Sequence, residues 1–403
     1  MSDDPWPRGK GPRLVAGLRL VTGALLVAAG ALVALPAPTY PLWLLSLGLI
    51  EFGHWLAPVS LVLLWPGWHR SWAGRAGAMA GVVSAALLLT PLVRALPVAQ
   101  HLPAHIEGAF GVGRQLPLAA EDAGPRTRPI DPLALFSGVP VPAIEPVRVG
   151  YVRRGDGGLR LDLSRRARPA AAPPAPVVVM VHGGGWRSGR PDDLPDLARY
   201  LAGRGYVVAA PEYRLAPAHT FPAALDDLRA AVAFLRGRAG AWGADPDGLV
   251  LIGRSAGAHL ALLLAYTAPV NAVRGVVSLY GPADLQFGWE HRGNPRVYDG
   301  TSAIEAFLGG PPSTAAAAYA ASSAYALASG SAPPTLLIHG RKDELVWVEQ
   351  SRRLAARLGE LDRPHLLVEL PWATHGCDFA LIGPCGQITV YAVERFLGAV
   401  TAH

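Results

Sequence analysis

The chain has 403 residues, room for two or three domains at ~150 residues each. Hydrophobic residues make up 51% of it, high for a wholly soluble protein, and the excess sits at the front. The net charge of +6 comes from scattered arginines with no dense basic tract, which argues against a nucleic-acid partner, and two cysteines exclude a disulfide-rich scaffold.

Three apolar stretches precede residue 97, at residues 14–35, 42–65 and 76–93. A helix needs ~20 mostly apolar residues to cross a bilayer, and each stretch comes close. Arg19 stands where its long side chain can snorkel. Trp43, Trp55, Trp65, Trp68 and Trp72 gather in and around the second stretch, as an interfacial belt does. Two other readings stand beside a membrane domain over residues 1–96. The first stretch has the charged lead of a cleaved signal peptide, although Pro36 and Pro38 crowd a cleavage site and two spans would still remain. All three also fit buried helices of a soluble fold. Read as spans through a lipid bilayer, they take their orientation from basic flanks. Arg8, Lys10 and Arg13 precede the first span, and His69, Arg70 and Arg75 lie between the second and third. The intervening APTYP has no basic residue. This pattern places the N-terminus in the cytoplasm and everything after residue 97 outside; Arg94 argues weakly the other way.

Glu51 and His54 are three residues apart in the second span and share a helix face. Ionisable residues in a span are candidates for function, and a mutually bonded pair packed against the other spans is the plainer alternative. Residues 97–146 read as a linker rich in Pro, Gly and Ala. Residues 96–118 are mildly amphipathic, as a helix lying along a membrane surface would be.

From residue 147 the pattern changes. VRVGYVRR and LRLDLSRR read as a hairpin joined by GDGG. The exposed loop ARPAAAPPAP follows. Then short apolar strands (VVVMV, YVVAAPEYR, LVLIG, VRGVVSLYG, PTLLIHG, HLLVEL) alternate with amphipathic helices. Such alternation implies an α/β fold, a mostly parallel, doubly wound sheet covered on both faces. Residues 284–332 break the rhythm and read as a small cap insert over the strand ends, where ligands bind.

Three motifs in this part share one chemistry. GRSAG, with Ser255 at its centre, joins the strand LVLIG to a helix, the strand-turn-helix context of a nucleophile elbow. A serine hydroxyl needs a histidine base oriented by a carboxylate. Asp343 follows one strand end in LLIHGRKDELV, and His375 follows the next in LVELPWATHGCDF. Glu344 and Asp378 are rival carboxylates. In HGGGWRSG the glycines let backbone approach a developing oxyanion. Gly184, Gly185 and Ala256 are the expected N–H donors, His182 is expected to anchor the loop, and Trp186 either walls the acyl pocket or packs. No CxxC or HExxH pattern points to a metal.

Residues 147–403 resemble an α/β-hydrolase of the hormone-sensitive-lipase-like or acetyl-esterase kind. The resemblance rests on HGGGW, PEYRLAPAHTFPAALDDLRAAVAFL, GRSAGAHLALLLA, YGPADL, HGRKDELV and THGCDF. GRSAGAHLA and the HGxxDxxV spacing also resemble the feruloyl-esterase and arylformamidase branch. Arg254 departs from the acid or histidine more usual before the nucleophile. The resemblance implies a serine carboxylesterase with Ser255, Asp343 and His375 as triad, a small-molecule or lipid-like ester as substrate, and no metal or cofactor. Amide cleavage and acyl transfer would use the same residues. Loss of Ser255, Asp343 or His375 would have supported a membrane sensor with a hydrolase-like binding domain, and all three are present. Cys377 and Cys385 either form a disulfide, if the domain is exported, or are two small buried thiols.

Overall fold

The computed structural model describes residues 10–112, 126–155, 157–167, 172–193 and 195–402, with side chains from residue 13. Arg8 and the Lys10 side chain, residues 113–125 of the expected linker, Asp156 of the hairpin turn and 168–171 of the Pro/Ala loop lie outside the described residues. The chain divides into two compact units, Met1–Ala95 and Leu96–His403.

In the first unit, α1 (Lys10–Ala34), α2 (Tyr40–Ser60) and the start of α3 (Trp72–Phe110) are long and apolar. All three are long and apolar enough to cross a membrane. Small residues let them approach: a Cβ on Gly23 of α1 would stand 2.8 Å from the Ala80 Cβ of α3. The Ser84 hydroxyl of α3 donates to the Leu26 carbonyl of α1 at 3.0 Å. Small-residue crossings and hydroxyl-to-backbone bonds are how helices associate in lipid, where no hydrophobic drive separates partner from solvent. Glu51 and His54 are both buried within this unit.

α3 is longer than expected. It runs for 39 residues, about 58 Å at 1.5 Å per residue, nearly twice a hydrocarbon core. Residues 76–93 are therefore only its middle, and 96–110 continue it rather than forming a separate surface helix. Pro91, Pro97 and Pro103 lie inside it, and each removes one N–H donor from a helix that continues through them.

The second unit is built on one eight-stranded sheet. Chain residues 126–146, expected as free linker, are tied to its body. The short α4 (Ala134–Ser137) lies here. The Arg126 guanidinium and the Asp131 N–H both donate to the Gln387 side-chain oxygen at 2.7 Å, and Val139 N–H donates to the Leu381 carbonyl. The expected hairpin follows as β1 (Val147–Arg154) and β2 (Gly157–Ser164), with Val147 opposite Leu163.

Then come β3 (Ala175–Val181), α5 (Pro195–Gly203), β4 (Val207–Pro211), α6 (Ala223–Arg238), β5 (Ala244–Arg254), α7 (Ala256–Thr267) and β6 (Gly275–Leu279). The insert holds four short helices, α8 (Leu285–Glu290), α9 (Gly300–Leu308), α10 (Pro312–Ala321) and α11 (Ala324–Leu327). After it come β7 (Thr335–Gly340), α12 (Glu349–Glu360), β8 (His365–Leu370) and α13 (Pro384–Val400).

The strand order is β1-β2-β4-β3-β5-β6-β7-β8. β1, β2 and β4 pair antiparallel, and β3 to β8 are parallel. β3 is buried along its whole length, as a strand covered on both faces must be. The chain leaves β3 for β4 on one side and β5 for β6 on the other. The crevice outside the carboxyl ends of β3 and β5 is thus the topological switch point, the usual binding place in such sheets. HGGG follows β3 there and Ser255 follows β5.

Candidate active site

Ser255 is a one-residue hinge between β5 and α7. Its φ of 52° and ψ of −122° lie where side chains rarely go, so the residue is strained. Its neighbours explain why the turn tolerates it. A Cβ on Gly257 would run into the carbonyl oxygens of Val181 and His182, and one on Gly253 into that of Gly257. Only glycine lets the elbow sit this close to β3. The Ser255 N–H donates to the Leu279 carbonyl of β6 at 2.9 Å, which fixes the hinge.

The Ser255 hydroxyl stands 2.9 Å from His375 Nε2, and His375 Nδ1 stands 2.7 Å from Asp343 Oδ2. The acceptor Asp343 fixes the tautomer: Nδ1 carries the proton, and Nε2 presents its lone pair to the serine. Asp343 is itself over-determined. Its Oδ1 accepts from Leu345 N–H at 2.9 Å and Val346 N–H at 2.8 Å. Its Oδ2 also lies 3.2 Å from His339 Nε2, a proton shared with the Val346 carbonyl at 2.8 Å. Burial by itself raises the Asp343 pKa, but the His375 and His339 imidazoles outweigh it and hold the carboxyl down at about 2. The carboxylate stays ionised. The rivals are elsewhere: His375 Nδ1 bonds to Asp343, and Asp378 is bound to Arg254.

The loop after β3 takes the conformation its glycines permit. Gly184, Gly185 and Trp186 have φ of 103°, 58° and 59° in succession. Consecutive left-handed residues turn N–H groups toward one concave side. Among the described residues, the N–H groups of Gly184, Gly185 and Ala256 have no protein acceptor, so they are available to a ligand. His182 does anchor the loop. Its ring stacks on Tyr213 at 4.2 Å, and its Nδ1 lies 2.9 Å from the Gly183 carbonyl. Burial lowers its pKa, so it is neutral and donates this bond. Trp186 sits between the core and the cleft. It stacks on Phe307 at 4.7 Å in the core and also lines the cleft above Ser255.

That cleft opens to solvent and encloses about 60 Å³. Gly185, Ser255 and Ala256 form its floor, Tyr298 and Ile304 come from the insert, and Val346 and Trp347 close one side. Among the described residues, no carboxylate lines it. Gln350 of α12 pins the insert's root by accepting from the Ala283 and Asp284 N–H groups, each at 2.9 Å.

Sequence reasoning missed three residues beside the pair Ser255–His375. His339 braces Asp343; its only signal was its place in LLIHG. The Tyr280 ring meets the His375 ring edge to face at 4.5 Å, and its hydroxyl is shared between Arg254 and Asp378. Tyr298 brings its hydroxyl against Gly185, where any Cβ would collide with it. Cys377 and Cys385 form a disulfide that spans the loop after His375.

With this geometry in view, known proteins are informative. The family described as BD-FAE matches residues 161–358, a range within the second unit that includes Ser255 and Asp343. Esterase LipC of Mycobacterium tuberculosis is 31% identical over 262 residues, covering 60% of this chain and 62% of its own. Esterase LipQ of the same organism is 30% identical over 263 residues, 61% of either chain. The chain thus spans about three-fifths of the length of these relatives. Among solved structures, a hyperthermophilic esterase from the archaeon Pyrobaculum calidifontis aligns at a TM-score of 0.56, with 24% identity, over 67% of this chain and 88% of its own. EstE1, a carboxylesterase cloned from a metagenomic library, aligns at 0.55 with 22% identity, over 67% and 93%. These structures show the fold.

The second unit has the α/β-hydrolase fold. The expected fold class, a mostly parallel sheet preceded by three apolar helices, holds. This unit carries Ser255 after β5, Asp343 after β7 and His375 after β8.

Proposed function

We propose that this chain is a membrane-anchored carboxylic ester hydrolase in which Ser255 is the nucleophile, His375 the general base and acid, and Asp343 the residue that orients the imidazole. The observation that carries the reading is the unbroken line Ser255 Oγ to His375 Nε2 at 2.9 Å and His375 Nδ1 to Asp343 at 2.7 Å, under a cleft. As Ser255 attacks an ester carbonyl, His375 takes its proton and then gives it to the leaving alcohol. Water hydrolyses the acyl-enzyme by the same path in reverse. The N–H groups of Gly184, Gly185 and Ala256 receive the oxyanion, each worth ~3 kcal/mol of barrier in comparable sites. The esterase names of LipC and LipQ support this chemistry.

In this reading residues 1–96 are the anchor in the bilayer, 147–403 the catalytic domain and 284–332 its cap. The substrates are small-molecule or lipid-like esters that reach the enzyme near a membrane. Basic flanks at residues 69–75 support an extracytoplasmic side for the catalytic domain. The Cys377–Cys385 bridge supports that side, since disulfides persist in oxidising compartments.

Membranes carrying the full chain or its Ser255→Ala variant, given p-nitrophenyl esters from acetate to palmitate, test the reading. Activity that vanishes with Ser255 supports it, and the chain-length profile distinguishes a short-chain esterase from a lipase. Equal rates in both overturn it.

A further inference from the structure

Arg254, immediately before Ser255, and Asp378, three residues after His375, are 124 residues apart in the chain, yet Arg254 Nη2 bonds Asp378 Oδ1 at 2.9 Å. The pair is nearly sealed from solvent, with 16% and 2% of the two side chains exposed. Tyr280, from the end of β6, donates its hydroxyl to the same Asp378 oxygen and accepts from Arg254. The ring of that tyrosine is the face against which the His375 imidazole rests. Tyr280 holds this position at a φ of 44°, a strained conformation that neighbouring contacts must enforce. A buried ion pair is weak evidence for stability, because desolvation offsets its attraction. Its placement therefore asks for another reason.

We propose that Arg254, Asp378 and Tyr280 form a positioning clamp for His375. It ties the loop that bears the base to the turn that bears the nucleophile, and its two opposite charges cancel beside the imidazole. The inference rests on the reading of His375 as the catalytic base. Three groups face His375 directly: Asp343 at Nδ1, Ser255 at Nε2 and the Tyr280 ring. Arg254 and Asp378 lie behind Tyr280, and His339 acts only through Asp343. Asp343, His339 and Glu344 are the same in every variant below, so they offset none of the differences.

The clamp makes a prediction about sign that a merely structural role does not. Arg254→Met leaves Asp378 negative near the imidazole. The protonated form is then favoured, and the acid limb of kcat/KM moves to higher pH. Asp378→Asn leaves Arg254 positive, and the limb moves to lower pH. The sign of the unpaired charge sets the direction of each shift. The double variant Arg254→Met/Asp378→Asn returns the limb to the wild-type position while kcat stays at least several-fold low at unchanged KM, because Tyr280 has lost its tether.

The experiment is a pH profile of p-nitrophenyl butyrate hydrolysis by the full-length enzyme in detergent micelles, with Ser255→Ala alongside. Opposite shifts that cancel in the double variant support the clamp. Shifts of the same sign, or losses of kcat with an unmoved limb in both single variants, overturn it. Should a single variant fail to fold, the double variant decides: a wild-type limb with lowered kcat supports the clamp, and an unchanged kcat overturns it. Activity that survives Ser255→Ala defeats the catalytic reading and the clamp with it. Activity that dies with Ser255 while the limbs stay together defeats the clamp alone.

Discussion

Replacing Asp343 by asparagine tests the catalytic geometry most directly, because the structure dictates which way the new amide must face. Oδ1 accepts from the Leu345 and Val346 N–H groups. An asparagine there must keep its oxygen on that side, since an NH2 facing two N–H donors would leave all of them unpaired. Its NH2 therefore replaces Oδ2, facing His375 Nδ1 and His339 Nε2. A donor facing Nδ1 forces the imidazole proton onto Nε2. That nitrogen then donates toward Ser255 and cannot take its proton. The shape of the site is kept and the base is lost. A wrong tautomer of this kind lowers kcat by roughly 10⁴ in a triad, the value the serine-protease template gives. That is about 5.5 kcal/mol of barrier. The assay is kcat for p-nitrophenyl acetate from pH 6 to 9, with thermal melting to verify folding. The expected result is a folded enzyme with kcat down by three to four orders and KM little changed. A folded Asp343→Asn enzyme within tenfold of wild type would refute the tautomer argument and the role given to Asp343.

Three further outcomes are expected. The Asp343 pKa lies at about 2 instead of the ordinary 3.8. Because the folded value is depressed, the stabilisation is present above pH ~4 and is lost as pH falls toward 2, on the order of 2 kcal/mol. Urea denaturation at pH 6 and pH 3 should show about half of that loss in wild type and a smaller one in Asp343→Asn; equal losses count against it. Gly185→Ala places a methyl on the Tyr298 hydroxyl at a φ of 58°, and kcat should fall 10- to 100-fold by displacing one oxyanion donor. Combining it with Tyr298→Ala should restore part of that rate, and no restoration would mean the backbone strain alone is responsible. Cys385→Ser opens the bridge to Cys377, eight residues away. The closed-loop entropy gives about 2.5 kcal/mol of lost stability, read as a lower denaturation midpoint; an unchanged midpoint would show that the bridge contributes nothing.

Local physics wrote much of this protein into its sequence. A strand buried on both faces has to be apolar throughout, so VVVMV and LVLIG were recognisable without a neighbour. A strained serine turn requires small flanking residues, so GRSAG announced its tight turn, and a loop of consecutive left-handed residues needs bare backbone, so HGGG announced that. Apolar stretches near 20 residues long declared the membrane-compatible helices. The order Ser255, Asp343, His375 along the chain selected the candidate nucleophile, acid and base, because each follows a strand end that the alternation of elements exposes.

Other features depend on distance through space, which spacing along a chain does not encode. Nothing in the sequence says that Arg254 reaches Asp378 across 124 residues, that Tyr280 bears on His375, or that His339 shares the Asp343 carboxylate. The extent of α3 past Val93 was also hidden. Its prolines carry a local signal to stop, yet the helix continues through them. The choice between Asp343 and its neighbours was the sharpest case. Three carboxylates stand within reach of the right loops in sequence, and only the packing of β6, β7 and β8 against one another brings one to the imidazole and commits another to an arginine.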